Sequence, residues 1–212
     1  MNPEYASKVF TRAVNSLSNF PGIGKKTAVR LVLDLLKKEK DILLHFAKCF
    51  EDLAHEIRYC VECHNISDED YCSICENPQR DIQLLCIVED LRDVVAIENT
   101  FQFKGKYHIL GGLISPLKGV HPSHLNIETL IQRIQQRAQT DQPIREIILA
   151  LRANVEGDTT NFYLYQQLKK FDIMLSSIAR GIGVNDEIQY ADEVTLGKSI
   201  ANRVALETMI RY

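Results

Sequence analysis

Four of the six cysteines in this chain of 212 residues form two CxxC pairs separated by eight residues. They are Cys60, Cys63, Cys72 and Cys75. Each pair can supply two ligands to a tetrahedrally coordinated ion through a tight turn called a knuckle. The eight residues between the pairs let the chain return, so that the second pair completes the site. Because four thiolates leave no open coordination position, the pattern predicts structural zinc. Disulfides and a redox-active CxxC pair are the alternatives, and a reducing cytosol disfavours both.

Three other side chains of similar chemistry are not expected to bind the ion. His64 follows Cys63, which already completes its knuckle. Cys49 and Cys86 lie within an apolar helix pattern and an apolar strand pattern. We therefore expect both of these cysteines to be buried and to pack as small hydrophobic residues.

The segment FPGIGKK, residues 20–26, is the second candidate for chemistry. Its two glycines permit a tight turn between helices, and the isoleucine between them can fill the gap at the turn. The N–H groups that start the second helix point outward, where they and the following cations can bind a phosphate backbone. The predicted DNA-binding residues are Gly22, Ile23, Gly24, Lys25, Lys26 and Arg30. A plain helix-breaking connection is the alternative, since GxG alone is a weak signal.

The distribution of charge favours a polyanion at the N-terminal end. The whole chain has a formal net charge of −3. Residues 1–40 hold eight Lys or Arg against three acids, a local charge of +5, so the other 172 residues must total −8. A polyanion is attracted to the first segment and repelled by the rest. A solvated basic helix would produce the same local excess.

The composition indicates a globular protein, because 45% of the residues are hydrophobic and can form a real core. The sequence has no apolar run near the roughly 18 to 20 residues that a membrane-spanning helix needs. The first residues, MNPEYASKVF, lack the apolar centre of a secretory signal. We therefore expect no membrane partner and a cytoplasmic location.

Hydrophobic spacing indicates the elements that position these residues. Apolar residues recur at helical intervals on both sides of the FPGIGKK turn and again over 42–57. From residue 84 onward, short apolar runs alternate with amphipathic segments, which predicts a parallel sheet covered on both faces. The predicted strands are 84–88, 107–110, 146–151 and 173–178, and the predicted helices are 91–99, 127–138, 159–170 and 195–206. Thr195 is expected to cap the last helix, and residues 209–212 to form a short strand or tail.

The order of these features resembles that of the RecR recombination-mediator family. The shared features are the helical hairpin, the cysteine module, IVE after the first strand, VEGD after a later one, and ARGIGVNDEIQYADEVTL, over essentially the whole chain. The resemblance implies a Toprim-like domain, so the predicted fold class is α/β and multidomain. The predicted domains are 1–55, a helix-hairpin-helix DNA-binding region; 56–79, the four-cysteine zinc module; 80–178, the Toprim-like parallel-sheet domain; and 179–212, a C-terminal helical and extended arm, of the kind that the family exchanges between subunits.

The same resemblance allows the acidic residues of the Toprim-like domain to be compared with the metal ligands of active Toprim enzymes. Active Toprim enzymes hold Mg²⁺ with a glutamate after the first strand and a DxDxE cluster after a later one. Glu89 and Glu156 match two of these positions, whereas Arg152 and Asn154 occupy the two aspartate positions. Because a guanidinium repels a divalent cation, we expect no catalytic residue and no enzymatic activity. The alternative is a Mg²⁺-dependent Toprim nuclease or a topoisomerase-like enzyme.

Two further features limit the comparison with nucleotide-binding proteins and with the family. Neither GIGKKT nor GKS completes the GxxxxGK[ST] spacing of a P-loop, so no nucleotide cofactor is expected. Family members have a GVPVGG-like loop where this chain has GIGVND. Gly183 stands at the proline position, and Asn185 and Asp186 stand at the glycine positions, which changes the contacts that the loop can make.

The resemblance implies a non-enzymatic DNA-binding clamp that acts with RecO and RecF to promote recombinase loading on single-stranded gaps. Single-stranded and duplex DNA would be bound without sequence specificity, by a homo-oligomer that is a tetrameric ring or a dimer, in the cytoplasm at the nucleoid. Glu89, Glu156 and Asp158 are candidates for an acidic surface that docks a partner. The alternative is that they are solvated acids at helix starts. An adaptor that binds only protein is the remaining functional alternative.

Overall fold

The computed structural model describes residues 7–179, 181–183 and 185–206. The chain divides into two compact units, Met1–Ile57 and Arg58–Tyr212. Within the described ranges, none of the helices has both the length and the apolar character needed to cross a membrane.

Three helices make up the described part of the first unit. They are α1 (Lys8–Ser18), α2 (Lys25–Leu35) and α3 (Lys40–Glu56). Ser7 caps α1, because its Oγ accepts a hydrogen bond from the Phe10 N–H at 3.3 Å. The buried side chains of Val14, Ala28 and Val32 form the small core between α1 and α2. The helices predicted on both sides of the turn are therefore confirmed.

The helix predicted over 42–57 is also confirmed, but none of the side chains of α3 is fully buried. Its aromatic rings pack edge to face on each other, with centroids 4.9 Å apart. The large exposed apolar residues of α3 are Ile42, Leu44, Phe46, Phe50 and Leu53. At the start of this helix, Leu43 and residues of α1 and α2 line an apolar groove of about 490 Å³. The first unit thus presents more apolar surface than its own described residues cover.

The second unit begins with the cysteine module. Strands β1 (Arg58–Tyr59) and β2 (Ile66–Ser67) form a small antiparallel hairpin, and the short helix α4 (Ser73–Glu76) follows. Hydrophobic spacing did not predict these elements, because two to four residues are too few to show a period.

A four-stranded parallel sheet forms the centre of the second unit. Its elements in chain order are β3 (Asp81–Val88), α5 (Leu91–Glu98), β4 (Gly105–Ile109), α6 (Ile127–Ala138), β5 (Glu146–Ala150), α7 (Val155–Leu168), β6 (Met174–Ser177) and α8 (Glu193–Ala201). The strand order is β4-β3-β5-β6, and each neighbouring pair is parallel. The predicted α/β class and parallel sheet are confirmed.

Strand β3 contributes to the core on both faces of the sheet, as its continuous apolar run predicts. Leu85 and Ile87 belong to one buried cluster, which includes residues of α6 and α7. Cys86 and Val88 belong to the other, with Val94 of α5. The expectation that Cys86 is buried is therefore confirmed.

The pairing of β3 with β5 positions the residues that follow them. Val88 pairs with Ala150, so Glu89 and Arg152 leave the sheet at the same carboxyl edge. In the strand order, the chain goes from β3 to the neighbouring strand β4 at one edge of the sheet, and from β5 to β6 at the opposite edge. Parallel sheets bind ligands outside the carboxyl ends of their strands at such a point.

Helix α7 begins at Val155, earlier than the predicted residue 159, because Asn154 caps it. The Asn154 Oδ1 accepts a hydrogen bond from the Gly157 N–H at 2.8 Å. This arrangement brings the helix start very close to the preceding loop. A Cβ atom added at Gly157 would lie 1.8 Å from the Arg152 carbonyl oxygen, so only glycine fits there.

The cap predicted for α8 is wrong. Asp192 Oδ1 accepts a hydrogen bond from the Thr195 N–H at 2.9 Å, so the helix begins at Glu193 with Asp192 as its cap. Aspartate and threonine both cap helices, and the sequence pattern does not choose between neighbouring candidates. The helix also ends at Ala201 rather than at residue 206. The strand or tail predicted over 209–212 lies outside the described residues.

Replacing Gly157 by alanine is expected to destabilise the second unit, because the new Cβ must push α7 away from the Arg152 carbonyl group. We expect a loss of about 2–3 kcal/mol in the free energy of unfolding, measured by urea denaturation. Gly197→Ala is the matched control, since Gly197 lies inside α8 and its added Cβ has no heavy atom within 4 Å. The control should be neutral or stabilising by up to about 1 kcal/mol. Equal effects of the two changes would contradict the close approach.

Candidate functional site

The turn between α1 and α2 follows the tight path that its glycines permit. Gly22 has a φ of +81°, in the left-handed region. The Ile23 N–H donates a hydrogen bond to the Phe20 carbonyl at 3.1 Å. The Ile23 side chain is partly buried against Val14 and Ala28, in the core between the helices. The isoleucine therefore fixes the turn to the hairpin that it connects.

The start of α2 has the features of an anion site. Gly24 is the N-cap in an extended conformation, and it has no side chain to accept hydrogen bonds from the first turn. The first turn of α2 also holds no acidic residue. Lys25, Lys26 and Arg30 are exposed, and the last two are four residues apart on one helix face. Helix-start amide groups and cationic side chains thus lie together, a combination that favours phosphate.

The four cysteines of the module converge. Their Sγ atoms all lie within 4.8 Å of one another, and Cys60, Cys63 and Cys72 are buried. Zinc bound tetrahedrally at about 2.3 Å would hold its sulfur ligands about 3.8 Å apart. In the parts of the chain that the structure describes, this is the one group of three or more His, Cys, Asp or Glu side chains close enough to share an ion. A set of four sulfurs without a carboxylate, three of them on buried residues, fits zinc.

Hydrogen bonds shape the first knuckle. The Cys60 N–H donates to the Asn65 carbonyl at 2.7 Å, and the His64 N–H donates to the Cys60 carbonyl at 2.9 Å. The Cys63 and Cys72 Sγ atoms are 3.5 Å apart, and this contact lowers the pKa of the Cys72 thiol and raises that of Cys63. A bound metal cation would stabilise all four thiolates.

Backbone contacts join the cysteine module to the edge of the sheet. Strand β4 is an edge strand, and its Ile109 N–H donates to the Cys63 carbonyl at 2.9 Å. The Lys106 ammonium group, on the same strand, donates to the Cys75 carbonyl. Each CxxC pair is therefore tied to β4 through one of its own carbonyl groups.

Side chains of α6 join the module from another direction. The Arg133 guanidinium donates to the Glu62 carboxylate at 2.9 Å and to the Tyr107 carbonyl at 2.7 Å. The His64 Nε2 lies 2.8 Å from the Thr129 Oγ1, so its ring is engaged outside the sulfur cluster. Sequence reasoning missed the link from Arg133 to Glu62, because the two residues are 71 positions apart.

An ion pair occupies the carboxyl edge of the sheet. The Arg152 Nη2 lies 3.2 Å from the Glu89 Oε2, and only 16% of the Glu89 side chain is exposed. Burial raises the pKa of Glu89 above its ordinary value, and the charge of Arg152 opposes this rise. Glu89 therefore faces a cation that belongs to the protein itself.

The other two candidate acids have different neighbours. The Lys118 Nζ lies 3.8 Å from the Glu156 carboxylate, and the Lys198 Nζ lies 3.8 Å from the Asp158 carboxylate. Glu89, Glu156 and Asp158 do not form a group close enough to share an ion among the residues that the structure describes. The structure brings the four cysteines together but leaves these three acids apart.

One prediction about the cysteines is wrong. Cys49 is exposed on α3 and is not a buried hydrophobic residue. The apolar pattern of α3 predicted a core on that side, whereas no side chain of α3 is fully buried. An amphipathic pattern identifies a face that needs a partner and does not say whether the same chain supplies it.

Comparison with known families matches four successive segments of the chain. Residues 10–54 match the family described as RecR, helix-hairpin-helix, and residues 57–77 match the RecR zinc finger domain with four cysteines. Residues 83–179 match the Toprim domain, and residues 181–204 match RecR, C-terminal. The predicted hairpin, zinc-finger and Toprim features are confirmed.

Similar proteins cover nearly the whole chain. The Recombination protein RecR of Bacteroides thetaiotaomicron is 52% identical over 203 residues, which are 96% of this chain and 97% of that protein. That of Flavobacterium psychrophilum is 52% identical over 208 residues, 98% of each chain. That of Porphyromonas gingivalis is 46% identical over 212 residues, the full length of both.

We expect one zinc ion per chain. The zinc content of Cys72→Ser should fall by more than half, because three thiolates leave one tetrahedral coordination position without a cysteine ligand. Zinc released by a mercurial reagent and quantified with a chromogenic chelator measures the content. Cys49→Ser is the matched control and should keep the wild-type amount, since Cys49 lies on α3 in the other unit. Full zinc content in Cys72→Ser, or metal loss in the control, would contradict the assigned ligands.

Proposed function

The chain belongs to the RecR family of recombination proteins, and we propose that it acts as a non-enzymatic DNA-binding clamp in recombinational repair. In this proposal it works in the cytoplasm with RecO and RecF to load the recombinase on single-stranded gaps. The observation that carries the proposal is the start of α2, where an N-cap without a side chain precedes exposed cations. Such a site binds phosphate and does not read bases, so it would grip single-stranded and duplex DNA without sequence specificity.

A single hairpin makes only a few phosphate contacts, so the clamp must multiply them by self-association. The apolar face of α3 supports this step, because Phe46 and Phe50 are about half exposed there. A second copy of the chain supplies matching apolar surface for this face. We propose a tetrameric ring or a dimer that presents several hairpins to one DNA molecule, with the C-terminal segment 179–212 as a second contact between subunits.

The carboxyl edge of the sheet supports the non-enzymatic part of the proposal. The Arg152 guanidinium pairs with Glu89, where an active Toprim site would hold Mg²⁺. Asp90 and Asp93 are occupied in a capping box at the start of α5. Asn154 caps α7 through its side-chain oxygen. The polar groups nearest to Glu89 therefore serve local structure and charge balance.

The remaining acids suit a partner that carries positive charge. Asp158 has 52% of its side chain exposed and Glu156 has 30%, against 16% for Glu89. We propose that Glu156 and Asp158, at the start of α7, contribute most to docking of RecO or RecF, and that Glu89 contributes less. Electrostatic docking of this kind steers association more than it adds affinity.

Reversing two charges of the hairpin tests whether the hairpin binds DNA. Lys26→Glu combined with Arg30→Glu should weaken binding to an oligonucleotide by at least about tenfold and reduce its dependence on salt, because two phosphate contacts per hairpin are lost. Fluorescence anisotropy across a salt series measures both effects. Lys37→Glu combined with Lys38→Glu is the matched control, with the same change of charge just beyond α2. Zinc content and solution mass should not change in either variant, and unchanged affinity in the first would remove the hairpin from the mechanism.

Plasmid cleavage tests the non-enzymatic assignment. Supercoiled plasmid incubated with the protein and Mg²⁺ or Mn²⁺ should stay supercoiled, because Arg152 opposes a cation at Glu89. Glu89→Gln should behave in the same way as the wild type. Nicked circles produced by the wild type and lost in Glu89→Gln would establish the nuclease instead.

A further inference from the structure

Phe101 is an aromatic residue in an unusual position. It follows α5 with a φ of +57°, in the left-handed region that bulky side chains rarely adopt. Its N–H donates a hydrogen bond to the Glu98 carbonyl at 2.9 Å and so ends the helix. Its side chain is 81% exposed and gains no burial in return for the strained backbone. Strain of this kind is a reason to look for a binding site.

The next phenylalanine shows what an ordinary core position looks like in this segment. Phe103 packs against Tyr107, with ring centroids 4.9 Å apart, and belongs to the periphery of a buried cluster. Its ring lies so close over Gly105 that a Cβ added there would be 2.5 Å from it. Phe103 therefore fills the core, and Phe101 stands outside it.

Phe101 borders a hollow of about 600 Å³ whose other walls are mostly polar. The lining residues are Asn77, Gln79, Arg80, Glu98, Asn99, Phe101, Phe103 and Lys104. The three carboxamides carry both donors and acceptors, and Lys104 is exposed. The hollow thus combines one flat exposed ring, groups that can pair with heterocycle edges, and a cation.

The floor of the hollow is fixed by hydrogen bonds. The Arg80 guanidinium donates to the Glu98 carboxylate and to the Phe103 carbonyl at 3.3 Å. The Tyr107 hydroxyl donates to the Glu98 Oε1 at 2.6 Å. The charge of Glu98 is therefore balanced by Arg80, and the positive charge of Lys104 remains for a ligand.

We infer that this hollow binds an unpaired base of single-stranded nucleic acid, with the Phe101 ring stacked on the base. The carboxamides of the lining pair with the edge of the base, and the Lys104 ammonium contacts the neighbouring phosphate. One exposed ring among polar groups suits a nucleobase better than an apolar protein segment, which needs a wider apolar surface. A base within a duplex has both faces covered, so the site favours single strands.

A tryptophan at position 101 tests this inference directly. The chain contains no tryptophan, so Phe101→Trp adds a single fluorescent reporter at the site. Adding oligodeoxythymidylate should quench its emission, because a stacked base contacts the indole ring. An abasic oligonucleotide of equal length should not, although it offers the same phosphates. Tyr59→Trp is the matched control at a position that is 69% exposed, and its emission should not change.

Two further variants separate a loss of binding from a loss of stability. Phe101→Gly removes both the ring and the backbone strain, so it should be at least as stable to heat as the wild type but bind oligodeoxythymidylate about five- to a hundredfold more weakly. Phe101→Tyr keeps a stacking ring and should keep the wild-type affinity. The fluorescence signal is local to position 101 and does not require the hairpin to bind DNA, so its failure is distinguishable from failure of the proposed clamp.

Three results with the oligonucleotides would overturn the base-binding site. They are no quenching at oligonucleotide concentrations that saturate binding, equal quenching by the abasic chain, and wild-type affinity in Phe101→Gly. Quenching that requires an added protein instead of the oligonucleotide would assign the ring to protein docking and would also overturn it.

Discussion

The attachment of the cysteine module to β4 is the contact on which the second unit depends. A module this short cannot bury enough apolar surface to fold alone. An edge strand, in turn, has N–H groups that no other strand pairs. The hydrogen bond from the Ile109 N–H to the Cys63 carbonyl pairs one of these groups and anchors the module, and Arg133 fixes Glu62 from α6. The sulfur cluster thus holds in place the knuckle that contacts the edge strand β4.

A different kind of contact is found at the carboxyl edge of the sheet, where an arginine balances the charge of a glutamate. The pairing of β3 with β5 brings Glu89 and Arg152 together. Gly157 lets the start of α7 approach the Arg152 carbonyl. The backbone at this edge therefore positions an ion pair.

The sequence predicts those features whose physical cause is local. The spacing of the four cysteines indicates their convergence, and the apolar run of β3 indicates a strand buried on both faces. The cap of α8 was misplaced, because Asp192 and Thr195 have similar local preferences. The link between Arg133 and Glu62 joins distant parts of the chain, and no local pattern reveals it. Cys49 is exposed, although it lies in an apolar pattern. The pattern of a single helix does not reveal whether the rest of the chain covers its apolar face.

The lack of a fully buried side chain on α3, together with the proposed self-association, makes the stability of this helix depend on protein concentration. A helix of 17 residues that buries none of its side chains fully gains little from packing and is only marginally stable in water. Its ion pairs, such as Lys48 with Asp52 at 2.8 Å, are exposed and add little. Under the proposed self-association, helical order in this segment rises with the amount of protein present, by mass action. Synthesis level in the cell and local secondary structure thereby become linked variables.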